Sequence, residues 1–324
     1  MLSQEQLQQF EQDGFLCIEQ VLLEADMQPI RQEYDVLLNE VAHRFGLADV
    51  QWLSQSFDVR YASLIQQHPS AYEYLDISLP MVSELAPDAG IHAGPAVFSL
   101  LSHPALLDIA EQLIGPEVYS NPVQHVRLKP PEALLDMVGL GNSNIARTHW
   151  HQDSAVVLEQ AEQTPMLTVW VAMTEASVER GCMEAVRGSH HWPQLALHCP
   201  GKTGLGEIFI PDELANVHDR VPLEVAAGGV VLLHQKTWHG AGPNTSDHLR
   251  WSFDLRYQPS GLSTGRDFFP GFLARSQHAP QDVLRDAKMW RESWMRARHE
   301  ISSGSTEAVF NTRWQAFRDD PLCA

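Results

Sequence analysis

The stretch Thr148-His149-Trp150-His151-Gln152-Asp153 holds a histidine and an aspartate two residues apart, and a third polar group of the same kind, His239, follows far downstream in Trp238-His239-Gly240. Two imidazoles and one carboxylate are the ligand set of a non-haem Fe(II) site, where they occupy one face of an octahedron and leave three positions open. Arg250 follows His239 by eleven residues and is placed to hold an anionic co-substrate beside such a metal. A lone His-X-Asp arises often by chance. Its conjunction with His239 and Arg250, all inside one β-rich half of the chain, is much more specific.

These side chains need strands to bring them together. Alternate residues on a strand share a face, so the spacing of His151 and Asp153 lets both reach one ion. The run Gly228-Gly229-Val230-Val231-Leu232-Leu233-His234 reads as a buried strand ending just before His239. From about 117 to 258, short β-rich runs alternate with turn signals, as in an all-β sandwich or barrel. The candidates are Val123–Lys129, Met166–Met173, Cys182–Val186, Val221–Val225, Val230–His234 and Leu249–Gln258. The last alternates cleanly: Leu249, Trp251, Phe253, Leu255 and Tyr257 share one face, and Arg250, Ser252, Asp254 and Arg256 the other. For Arg250 to stand beside a metal, the polar face must point inward.

Around this core the pattern is helical. Residues 3–12 read as a helix with Ser3 and Gln6 forming a capping box, Phe15–Ile18 as a strand, 23–45 as a long amphipathic helix, and His103-Pro104 as the start of a helix running to about Ile114. Asp282–His299 carries Trp290 and Trp294 at helical spacing, the mark of a packing helix. The expected architecture is a single domain over residues 1–324, mainly β, with helical elaborations at both ends.

Composition narrows the function. A chain of 324 residues, 44% hydrophobic and 19% charged, builds a sizeable core. A formal net charge of −19 argues against a nucleic-acid partner. No apolar run approaches the roughly 20 residues of a bilayer span, and the N-terminus lacks the basic and apolar segments of a leader, so the expectation is a cytoplasmic protein with no membrane partner. The four cysteines, Cys17, Cys182, Cys199 and Cys323, are scattered and read as free thiols of a reducing compartment. Nothing in the sequence sets the oligomeric state.

At the residues quoted above, the chain resembles the phytanoyl-CoA dioxygenase family of Fe(II)/2-oxoglutarate oxygenases. The matching stretches are His149–Asp153, Leu167–Ala172, Gly181–Met183 with Arg187–His190, and His239–Asn244 with Arg250. Leu2–Gln6 through Asp13-Gly14-Phe15, and Leu128–Pro131, are similar to the family as well, so the resemblance covers about residues 3–260. It implies a double-stranded β-helix, a jelly-roll, cupin-like core spanning about 117–258. It implies Fe(II) held by His151, Asp153 and His239, and 2-oxoglutarate chelating the metal with its far carboxylate on Arg250. An arginine fork suits a carboxylate because the two meet in a bidentate geometry. It implies O2 as the second co-substrate, conversion of 2-oxoglutarate to succinate and CO2, and hydroxylation of a small molecule.

Other positions follow from the same resemblance. Gln152, Trp170 and His125 match places that line the co-substrate pocket. His125, Arg127 and Lys129 share a strand face, so Arg127 and Lys129 are candidate substrate contacts, and Trp238 is placed to close the site or to pack. Two departures stand out. Ala241 replaces a hydroxyl that helps hold the 2-oxoglutarate carboxylate, and Arg187 stands where proline is frequent. Related halogenases replace the metal-binding carboxylate with Gly or Ala; Asp153 is retained here, which indicates an oxygenase.

Two other classes compete: a non-oxidative metal-dependent enzyme on a cupin-like barrel, and a catalytically silent metal-binding protein. Arg250 argues against the first, which needs no co-substrate anchor, and the intact triad argues against the second. Substrate choice is expected to lie in residues 50–100, 190–215 and 260–280, the variable loops of a barrel mouth. There Phe268–Phe272 is a candidate lid or seal, and His149 a candidate group for orienting a ligand.

Overall fold

The computed structural model describes residues 1–137, 145–201, 208–216 and 218–323. Among them are the strands β1 (Phe15–Ile18), β2 (Val118–Lys129), β3 (Thr148–His151), β4 (Leu167–Ala172), β5 (Met183–Val186), β6 (Cys199–Pro200), β7 (Ile208–Phe209), β8 (Arg220–Leu223), β9 (Val230–His234), β10 (His239–Ala241), β11 (Arg250–Pro259) and β12 (Phe272–Arg275). A six-stranded sheet runs β1-β9-β4-β11-β2-β12, and a four-stranded sheet runs β3-β10-β5-β8. Their pairings are antiparallel. The two sheets form the double-stranded β-helix core without closing into a barrel.

The alternation in β11 decides how the large sheet is dressed. Its apolar residues Trp251, Phe253, Leu255 and Tyr257 join Val169, Val171 and Leu232 on the outer face, and there they pack against helical residues such as Tyr34 and Leu64 in one large apolar cluster. Helices Glu24–Arg44, Phe57–Gln67, Pro95–Leu101 and Pro104–Ile114 supply that cover. Each large side chain so buried contributes about 1.5–3 kcal/mol, so the helices clamp the sheet from outside. The polar residues of β11 are thereby forced to the inner face. A second cluster fills the gap between the sheets at one end, where Trp170, Ala172, Val231 and Leu233 meet Met183, Ala185 and Leu223.

The β-core reaches beyond residues 117–258. β1 pairs with β9 in the register Phe15↔Leu233 to Ile18↔Val230, and β12 pairs with β2. β1 is reached through the N-terminal helix Gln4–Asp13, which carries the Ser3–Gln6 capping box and ends on Gly14 at φ 80°. Gly14 is required there twice over. Its backbone is left-handed, and a Cβ would come within 2.5 Å of Thr237 Oγ1.

Three expectations need correction. The stretch Pro95–Ile114 does have the length and apolarity of a bilayer span, but it is two helices capped anew at His103, and Val97, Leu101, Leu106 and Ala110 are buried in the core. The C-terminal helix spans Ala287–Ser302, starting five residues later than its periodicity suggested because Asp286 caps it, accepting from Lys288 N–H at 2.8 Å. Finally, the cysteines are not all free. Cys199 and Cys323 form a disulfide across 124 residues, while Cys17 and Cys182 remain thiols.

Candidate metal centre and its cavity

His151 ends β3 and His239 opens β10, and these two residues are directly paired across the small sheet. Their rings lie 4.2 Å apart between centroids. Asp153 does not continue the strand. The chain passes through the extended Gln152 (φ −118°, ψ 133°) into the short helical turn Asp153–Val156. The two-residue spacing therefore delivers the carboxylate by a strand-to-turn bend and not by strand alternation. His151 Nε2 lies 3.7 Å from Asp153 Oδ1, and His239 Nε2 lies 4.0 Å from Asp153 Oδ2. One donor atom from each residue falls within 4.8 Å of the others.

The backbone sets both histidines for coordination. His151 Nδ1–H donates to the His149 carbonyl at 2.7 Å, and His239 Nδ1–H donates to the Thr237 carbonyl at 2.9 Å. A carbonyl only accepts, so Nδ1 carries a proton in each ring and Nε2 is the nitrogen left to coordinate. Burial, then the neighbouring His151, pushes His239 down to about 4, which keeps it neutral. Asp153 has the opposite need. Burial disfavours its charge, but Arg256, then His239 and His151, hold it well below the usual carboxylate range. Arg256 donates to Oδ1 at 2.7 Å, and the Thr168 hydroxyl donates to Oδ2 at 2.5 Å.

The inner face of the large sheet supplies the cationic wall. Cross-strand pairs Arg250↔Lys129, Ser252↔Arg127 and Asp254↔His125 bring the polar residues of β11 and β2 side by side. Arg250 is 1% exposed. Its guanidinium receives no carboxylate within ion-pair distance among the described residues, donates to the Ser252 hydroxyl at 2.6 Å, stands over the Trp170 ring at 5.2 Å, and leaves Nε without a partner. Burial, then Arg127, pulls it down to about 9, still charged at neutral pH. Lys129 is buried beside it and donates to the Gly242 carbonyl at 2.6 Å. A cavity of about 700 Å3 takes in His151, Arg250, Lys129, Arg127 and His125.

The remaining sequence candidates divide by position. His125 lines the cavity and pairs with Asp76 at 2.8 Å. Gln152 faces away, donating to the Lys236 carbonyl and accepting from Ala196 N–H. Trp238 packs against Trp192 and His218, outside the cavity. Arg187 is ion-paired to Asp13 and covers Phe15, so it fastens the N-terminal helix. The His149 carbonyl orients His151, while its ring lines the cavity beside Arg147. Phe269 and Phe272 pack into the outer core, so this segment seals the sheet. All three variable segments reach the cavity, through Tyr61 and Met81, through Phe209, and through Arg266.

Several groups escaped the sequence reading. Arg256 and Thr168 grip the metal-facing carboxylate, and Asp76, from the 50–100 segment, anchors His125. Ser252, also on β11, accepts from Arg250 at 2.6 Å. Its signal was present, since Arg250 and Ser252 lie on the same strand face. Arg266 has no signal in a loop read one residue at a time.

The chain is similar to known proteins in sequence and in fold. The sequence model described as Phytanoyl-CoA dioxygenase (PhyH) matches residues 10–252. The mouse phytanoyl-CoA dioxygenase domain-containing protein 1 is 25% identical over 276 residues, spanning 78% of this chain and 89% of its own. The bovine peroxisomal phytanoyl-CoA dioxygenase is 24% identical over 262 residues, 79% of this chain and 68% of its own. Among solved structures, the non-heme monooxygenase ThoJ is similar with a TM-score of 0.55 at 20% identity, over 92% of this chain and 99% of that one. EvdO2 of Micromonospora carbonacea var. aurantiaca, complexed with 2-oxoglutarate, gives 0.52 at 22% identity, over 80% and 92%. These two likenesses concern the fold.

Proposed function

Because the chain belongs to the phytanoyl-CoA dioxygenase family, we propose that it is an Fe(II)/2-oxoglutarate-dependent oxygenase that hydroxylates a small organic substrate. His151, Asp153 and His239 hold the metal, and Arg250 with Ser252 holds the far carboxylate of 2-oxoglutarate. The residues fit both groups. Two imidazoles whose Nδ1–H is taken up by a backbone carbonyl, leaving Nε2 to coordinate, and one ionised carboxylate are the donor set of such a site. Arg250 is a buried cation with an idle Nε–H and, among the described residues, no carboxylate within ion-pair distance, an arrangement that is costly unless an anion completes it. That buried guanidinium, sharing one cavity with His151, is the observation that carries the reading.

Iron with 2-oxoglutarate and O2 supplies the oxidising power, with succinate and CO2 as by-products. The protein's own residues do the rest. Thr168 and Arg256 fix the Asp153 carboxylate, and the His149 and Thr237 carbonyls fix the rings, so the three donors stand ready before metal arrives. Arg250, backed by the Trp170 face, orients the co-substrate. The apolar wall of Tyr61, Leu79, Val123 and Phe209 excludes water from the reacting carbon.

The test is an anaerobic titration of metal-free protein with Fe(II) and then 2-oxoglutarate, followed by visible charge-transfer absorbance. The expected outcome is a band in wild type that Arg250→Ala fails to develop at the same 2-oxoglutarate concentration. Iron-loaded, folded wild type with no band would overturn the assignment in favour of a non-oxidative metalloenzyme.

A further inference from the structure

Once Arg250 is assigned to the co-substrate, and with Lys129 bonded to the Gly242 carbonyl, the cavity still holds cations with no counter-charge among the described residues. Arg266 is 7% exposed and lines the cavity. Its Nη1 has no partner, and among the described residues no carboxylate lies within ion-pair distance of it. Its neighbours are fixed in other work. Asp76 accepts from Ile77 N–H, Val126 N–H and His125. Asp153 is held by Arg256 and Thr168, and Asp254 faces Arg256 at 3.3 Å. Arg127, on β2 two residues from Lys129, also lines the cavity without an ion-pair partner among the described residues.

The loop that carries Arg266 is built to hold it. Gly265 is left-handed at φ 72°, and a Cβ there would meet Val157 Cβ at 2.5 Å. The Asp267 carboxylate accepts from Thr264 N–H at 3.1 Å and from the Thr264 hydroxyl at 3.0 Å. A guanidinium presented by so constrained a turn, desolvated and unpaired, is poised for an anion from outside the chain. The cavity's positive lining also opposes the overall charge of −19, so the cluster is local.

We infer that Arg266 and Arg127 form a second anion subsite that reads a carboxylate or phosphate head group of the substrate, while its apolar body lies against Leu79, Met81, Val123 and Phe209. This rests on the oxygenase reading above. About 700 Å3 suits a drug-sized molecule, so the substrate is a small amphipathic acid or phosphate ester. The head group sits at the arginines and presents a carbon of the body to the metal.

The experiment is anaerobic calorimetric titration of the Fe(II)-loaded protein at saturating 2-oxoglutarate with octanoate, octyl phosphate and the neutral octanamide. One of the two anions is expected to bind at least tenfold more tightly than octanamide, and the tighter one identifies the head group. Arg266→Gln and Arg127→Gln are each expected to lose that preference while keeping the charge-transfer band. Arg266→Lys, which keeps the charge, retains part of it. Equal affinities for all three probes, no binding of either anion, or an unchanged preference in the double Gln variant would overturn the proposal. Should wild type give no charge-transfer band, the oxygenase reading fails first. The same titration without 2-oxoglutarate then judges the subsite alone: a preference abolished by Arg266→Gln upholds it, and none overturns it.

Discussion

Arg256 reaches from β11 to donate to Asp153 Oδ1 at 2.7 Å, with both side chains 4% exposed or less. A metal-facing carboxylate thus has a permanent cationic partner inside the fold. The pair keeps Asp153 ionised and its plane fixed, and the Arg256 Nη1–H bond to the Val123 carbonyl at 2.9 Å locks the guanidinium in turn.

Arg256→Gln is therefore expected to weaken Fe(II) binding about tenfold to hundredfold, measured by competition with a coloured chelator. It is also expected to destabilise the fold by about 3–5 kcal/mol, because Asp153 is left buried without its partner. Thr168→Val, which removes one hydrogen bond, is expected to cost about 1 kcal/mol. Unchanged iron affinity in Arg256→Gln would mean that Asp153 is positioned by the backbone turn alone.

Ser252→Ala removes the hydroxyl that holds Arg250 at 2.6 Å. We expect the KM for 2-oxoglutarate to rise about tenfold, the worth of one charge-assisted hydrogen bond. Iron affinity is expected to stay as in wild type. A rise in iron dissociation with no change in 2-oxoglutarate KM would place Ser252 with the metal and not with the co-substrate.

Acid should loosen the metal-free protein early. Burial pushes His198 down to about 3 and His234 down to about 4, against about 6.5 in an unfolded chain. Below pH 6.5 the unfolded state takes up protons that the native state refuses, so stability falls as pH falls towards 4. His198 shows the structural reason. Its Nδ1–H donates to the Ala196 carbonyl and its Nε2 accepts from Gln152 N–H, and a second proton would destroy that acceptor. Thermal midpoints should drop between pH 7 and 5, and the drop should shrink in His198→Gln. A flat profile would show that neither histidine is forced neutral.

The Cys199–Cys323 disulfide ties the C-terminal segment to β6, and Cys323 itself borders the cavity. Cys323→Ser is expected to lose about 2–4 kcal/mol of stability, the usual range for such a cross-link, and wild type in dithiothreitol should show the same loss. Both are read by thermal unfolding. Equal midpoints with and without reductant would show that the cross-link does not constrain the chain.

The sequence by itself determined the chemistry of the centre and the dressing of the sheet. His-X-Asp, the distant histidine and the later arginine name the donor types of the centre whatever the intervening loops do. The strict alternation of β11 divides its faces, because a pleated strand has no other way to place successive side chains. Tertiary structure alone decided which face turned inward. Helices from the N-terminal third cover Trp251 and Phe253, leaving Arg250, Asp254 and Arg256 for the cavity. It also decided what holds each group. Asp76, Arg256 and Arg266 act through partners 49, 103 and more residues away or through the cavity itself, and no local pattern records a contact made only when distant strands pair. The disulfide is of the same kind, since scattered cysteines reveal a bond only when the folded chain sets their Cα atoms 5.2 Å apart.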